Sequence, residues 1–99
     1  MNKGLEHYYA GDETWEAFVA LAMPDWGDTG LQRTLLERMG GHLDLAAVIY
    51  ARFGSGSLAW IDTRVPALHG LTPVACVGTQ KRVRRLREAL LRMDFGGPV

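Results

Sequence analysis

The segment "LDLAAVIYARF", residues 43–53, decides the fold class. Val48, Ile49 and Tyr50 are β-branched or aromatic and would suit a strand. Ala46 and Ala47 precede them, apolar and polar residues do not alternate, and no nearby stretch of similar character could pair as a hairpin, so the segment reads as a helix. Being apolar on most of its sides, such a helix belongs at the centre of a molecule. The fold class that follows is all-α, a compact bundle of five or six short helices.

Toward the amino end, Asp12 is placed to cap a helix whose apolar positions Trp15, Phe18, Val19 and Ala22 keep helical spacing, with Pro24 ending or kinking it. "DWGDTG", residues 25–30, reads as a turn, and a second helix is expected from about Leu31 to Met39, stopped by Gly40 and Gly41. Toward the carboxyl end, "GSGS" at 54–57 breaks the chain and Ser57 is placed to cap the short helix "LAWID".

"PALHGLTP" follows at 66–73, too apolar and stiff for a linker. Pro66 and Pro73 fix φ, Gly70 permits a positive φ, and Leu68 with Leu71 can plug the core, so the stretch reads as a rigid corner between helices. Thr72 before Pro73 has the form of an N-cap followed by the first helical position. Gly78 then closes a brief helix, Thr79 caps the next, and "QKRVRRLREALLRM" runs to residue 93 with Val83, Leu86, Leu90 and Met93 on one face.

The chain has 99 residues, 47% of them hydrophobic and 22% charged, which is the composition of one globular domain and not of a disordered chain. Cys76 is the single cysteine, so an internal disulfide and multi-cysteine zinc sites are excluded by count. It reads as a small core residue. The opening residues lack an apolar signal core, and no stretch approaches the roughly 18 uninterrupted apolar residues of a membrane span, so a cytoplasmic protein with no membrane partner is expected. The net charge of zero conceals a division. Residues 1–50 hold eight Asp/Glu against three Lys/Arg, and residues 51–99 hold eight Lys/Arg against three Asp/Glu.

Signals of catalysis are thin. His7, His42 and His69 are too far apart for a local metal-ligating pair, and no glycine-rich phosphate loop or nucleophile elbow occurs, so no enzyme, cofactor, metal or catalytic residue is expected. The strongest chemical feature is the last helix, where Lys81, Arg82, Arg84, Arg85, Arg87 and Arg92 meet only Glu88 of opposite sign. Glu88 can pair with Arg84 and Arg92 at i,i+4 spacing, which leaves several cations to attract a polyanion or an acidic protein surface. Aromatic residues do not interleave with the arginines, and "GLQRTLLERMGG" offers a recognition helix only Arg33, Gln32 and Thr34, so direct DNA reading is weakly signalled.

Ala51, "FGS" at 53–55, "AWI" at 59–61, "PAL" at 66–68, "GLTP" at 70–73 and "LLRMDFG" at 90–96 occur in an order and at spacings that resemble the toxin-binding domain of Xre/MbcA/ParS-type antitoxins. The resemblance covers residues 43–97, about half of the chain. A glycine usual near the start of the family's final helix is replaced near Arg82, and residues 1–42 form a helical segment too short for the full helix-turn-helix domain that often precedes the 43–99 part.

The resemblance implies an antitoxin of a type II toxin–antitoxin system, which binds and occludes the active site of a RES-domain toxin that consumes NAD or uses it for ADP-ribosyl transfer. The toxin-binding residues it suggests are Arg84, Arg85, Arg87, Arg92, Phe95 and Gly96, with Trp60, Leu68, Gly70, Thr72 and Pro73 as scaffold. A guanidinium fork suits acidic groups in a cleft built for pyrophosphate, and Phe95 would be an apolar anchor. Two other functions stay open: a DNA-binding operon autorepressor using the same basic helix, and an immunity protein against a secreted effector. Tyr8, Tyr9, Trp15 and Trp26 either pack on the core or make a homodimer contact.

Overall fold

A computed structural model describes Tyr9 and residues 11–92. Five α-helices form the fold: α1 Asp12–Ala22, α2 Gly30–Arg38, α3 Leu43–Phe53, α4 Ser57–Ile61 and α5 Gln80–Arg92. Short 3-10 turns at Met23–Asp25, Gly54–Gly56, Pro66–Leu68 and Pro73–Gly78 join or extend them, and no strand occurs among the described residues.

The segment at 43–53 is a helix, and it is the central one. Leu45, Ala46, Ala47, Val48 and Ile49 are all buried, because α1, α2, α4 and α5 each pack against α3. A run of five buried residues leaves no solvent face for most of a turn and a half, which is why the sequence shows no amphipathic stripe there. Trp15 of α1, Leu35 of α2, Ile61 of α4 and Leu86 and Leu90 of α5 complete one continuous core, so residues on both sides of position 42 are buried together.

Three helix starts differ from the sequence expectation. Asp12 is the first residue of α1, not its cap; Gly11 occupies the cap position without a side-chain bond, and the Asp12 carboxylate turns to groups from other parts of the chain. α2 begins one residue early, because Thr29 and Gln32 form a capping box: Thr29 Oγ1 accepts from the Gln32 backbone N–H and Gln32 Oε1 accepts from the Thr29 N–H at 3.0 Å. Ser57 lies inside α4, and its hydroxyl donates to the Gly54 carbonyl at 2.7 Å, securing the turn after α3 instead of capping α4.

The corner at 66–73 is closed by its own backbone. Val65 N–H donates to Leu71 at 3.0 Å while Gly70 N–H donates back to Val65 at 3.1 Å, so the loop returns on itself with Leu68 fully buried inside. His69 and Gly70 make that return with φ of 57° and 78°. Thr72 then caps the Pro73–Gly78 turn by accepting from the Ala75 N–H, and Thr79 accepts from the Arg82 N–H at the start of α5. Both 3-10 turns pack beneath α5, so the corner sets the seat of that helix.

Candidate functional site

α5 is strongly two-sided. Val83, Leu86, Ala89 and Leu90 face the core, while Lys81, Arg82, Arg84 and Arg92 are exposed on the other side. Arg85 is on the buried side at 8% exposure, as is Glu88 at 7%. Arg85 is close enough to Cys76 of the Pro73–Gly78 turn to act on its thiol electrostatically. Burial nevertheless pushes the Cys76 thiol up, with Arg85 and Arg82 pulling the other way, so the sulfur is a neutral core atom.

The densest polar constellation centres on Arg87. Its Nη2 donates to Asp44 Oδ2 of α3 at 3.0 Å, and Nη1 donates to Asp12 Oδ1 of α1 at 3.2 Å and to the Tyr9 hydroxyl at 3.3 Å. The Tyr9 hydroxyl donates onward to Asp12 at 2.9 Å, and Trp15 Nε1 donates to the same Asp44 oxygen at 2.8 Å. The guanidinium also lies over the Trp15 ring, 5.6 Å from its centroid. Arg87 Nε is buried without a hydrogen-bond partner. Burial opposes the Arg87 charge but is outweighed by the Tyr9 hydrogen bond and by Asp44 and Asp12, which hold its pKa above the ordinary arginine value. The Tyr9 phenol is raised by burial first and by its bond to Asp12 second, against the lowering effect of Arg87.

Of the six residues the sequence suggested for contact with a toxin, Arg84 is exposed on α5, and Arg92 is exposed while bonded to Glu88 at 2.8 Å. Arg85 and Arg87 are turned inward, and Phe95 and Gly96 lie outside the described residues. The structure therefore brings Arg84 and Arg92 to the surface and puts Arg87 to work between helices. The Arg87 cluster was not read from the sequence. Its one signal was that no acidic residue stands three or four positions from Arg87 within α5, so its counter-charge had to come from elsewhere.

Phe53 and Trp60 stack with ring centroids 4.4 Å apart, Leu68 and Pro73 are buried, and Thr72 is a cap. Gln32, considered for base reading, is 2% exposed and occupied by its capping bonds and by a bond to the Asp25 carbonyl, so it is withdrawn from any groove-reading surface. Of the aromatic residues near the amino end, Trp15 is buried, Tyr9 and Trp26 pack partly buried against the core, and Tyr8 lies outside the described residues. Among the described residues, no three or more His, Cys, Asp or Glu side chains are grouped to hold a metal ion. No helix among them is long and apolar enough to cross a membrane.

Fold and surface together define an all-α domain in which a cationic helix, α5, is clamped on a rigid frame. No protein-family model, no curated protein and no solved structure matches the chain.

Proposed function

We propose that this chain is an antitoxin that binds and occludes the active site of an NAD-consuming or ADP-ribosylating RES-domain toxin. The observation that carries the reading is the division of labour around α5. Residues that make the resemblance, Phe53, Trp60, Leu68, Gly70, Thr72 and Pro73, all serve the frame, and the frame leaves Arg84 and Arg92 outward on the helix that leads into "DFGG" at 94–97. A preorganised helix loses little entropy on docking, which is what a protein inhibitor of a cleft requires. In this reading Arg84, Arg92, Phe95 and Gly96 touch the toxin. Arg85 and Arg87, being turned inward, act by holding α5 in place.

The test is co-expression with a RES-type toxin encoded beside the gene. The full chain restores growth and cellular NAD, whereas a chain truncated after Met93 or carrying Arg84→Glu protects less. Full protection by the truncated chain removes the tail from the mechanism.

One observation favours a second reading, in which the chain binds DNA. Lys81, Arg82 and Arg84 form an exposed cationic start to α5 suited to phosphates. A mobility shift on upstream DNA that weakens steeply with salt would support it over the first.

A further inference from the structure

α1, α3 and α5 run the same way and finish together. At one level Arg87 of α5 meets Asp44 of α3 and Asp12 of α1, and further along the same three helices Leu90, Val48, Ala51 and Ala22 line one groove. That groove is apolar, holds about 200 Å³, and is walled also by Phe18 and by Leu21, which is 73% exposed. Arg52 of α3 stands at its edge, exposed, with its guanidinium over the Phe53 ring and no salt bridge among the described residues. An apolar groove with a cation at its edge suits a segment in which a large apolar side chain adjoins an acidic one. "MDF", residues 93–95, has that pattern. We infer that the groove is the docking site of the chain's own segment 93–95, with Phe95 in the groove and the Asp94 carboxylate paired with Arg52.

Position, reach and charge select this segment over other occupants. α5 ends at Arg92, two residues past Leu90 on the groove wall, and it points toward the carboxyl ends of α1 and α3, so the chain leaves the helix beside the groove. Phe95 is three residues further on, a reach of up to about 10 Å. The segment before Tyr9 starts from the opposite end, because Tyr9 is bonded to Asp12 and Arg87, and the 11 residues of α1 put about 16 Å between that point and Ala22. A second copy would compete with a tether of a few residues, which holds segment 93–95 at an effective concentration in the roughly millimolar range. Asp94 supplies the opposite charge that Arg52 lacks within the described residues. This inference is independent of the antitoxin reading: a segment held on its own frame is released to a toxin that binds it more tightly.

Nuclear magnetic resonance of the isotopically labelled full chain tests it. Overhauser contacts are expected from the Phe95 ring protons to the methyl groups of Ala22, Val48 and Leu90, unchanged on dilution. In urea unfolding, Phe95→Ala lowers the folded-to-unfolded ratio about tenfold. Arg52→Glu and Asp94→Arg each lower it about two- to fivefold, and the double exchange recovers most of the loss, with circular dichroism verifying that each variant is helical. The inference is overturned by the absence of contacts from Phe95 to those methyl groups, or by a double exchange no more stable than the two single variants. Contacts found only between labelled and unlabelled copies in a mixed sample overturn it too, because they assign the groove to a second chain.

Discussion

Arg87 joins three segments that are far apart in the chain: Tyr9 and Asp12, Asp44, and its own helix α5. Its side chain is 17% exposed and that of Asp44 27%, so the pair is partly shielded from water and more sensitive to loss than a surface ion pair. Arg87→Ala leaves Asp44 and the Trp15 ring facing a void, and a destabilisation of about 2–3 kcal/mol is expected in urea unfolding, below the full cost of a completely buried pair because solvent still reaches the site. Arg87→Lys should recover only part of it, since one ammonium cannot reach both carboxylates in the geometry of a planar fork. Tyr9 adds a pH signature. Its folded pKa is raised, so its contribution is intact below the ordinary phenol value and is lost as pH rises through the raised one. Melting temperature measured from about pH 8 to 12 should fall on the alkaline side, and Tyr9→Phe should make that fall shallower.

At the scale of elements, the corner from Val65 to Thr79 determines how α5 sits. The Ala75 N–H is shared between the Thr72 carbonyl at 3.0 Å and the Thr72 hydroxyl at 3.3 Å, so Thr72→Ala removes only the longer bond and should cost about 0.5 kcal/mol in chemical denaturation, the low end for a lost cap. Gly70 offers a cleaner test of backbone strain. A Cβ there would meet nothing within 4 Å, so any penalty of Gly70→Ala comes from its φ of 78° and not from crowding; about 1–2 kcal/mol is expected. Much of this corner was legible before any coordinates. Proline, threonine and glycine act through local φ and a local hydrogen bond, and those are properties of three or four consecutive residues. Where the reading slipped, at Asp12 and Ser57, the side chain was placed as a local cap but a competing partner won: Arg87 from α5 in one case, the Gly54 carbonyl in the other. The capping box of Thr29 and Gln32 was local too, and the sequence carried its threonine–x–x–glutamine spacing.

Across the whole molecule, the acidic first half and basic second half are not separate lobes. Arg87 pairs with Asp12 and Asp44, and Arg38 with Asp62 at 2.6 Å, so each half neutralises charge of the other across a shared core. A core shared in this way is expected to open as one unit. Cys76, fully buried in it, reports that opening: its reaction with a thiol reagent in native buffer should be slow and should accelerate in proportion to the unfolded fraction as urea is added. Rapid labelling of the native protein would mean that the Pro73–Gly78 turn opens by itself.

The sequence by itself determined the helical class, the central place of residues 43–53, the stiff corner, the buried face of α5 at Val83, Leu86 and Leu90, and the burial of Cys76. These depend on periodicity, proline geometry and hydrophobicity, which act over a turn or two of chain. Only the tertiary structure decided which arginines face water. Arg84, Arg85 and Arg87 are neighbours of the same type, and helical phase by itself does not say which of them meets a partner; what holds Arg87 inward is the presence of Asp44, Asp12 and Tyr9 at that point in space. A charge finds its partner through folding and not through sequence distance, because Coulomb attraction depends on separation in space, which packing of the core creates.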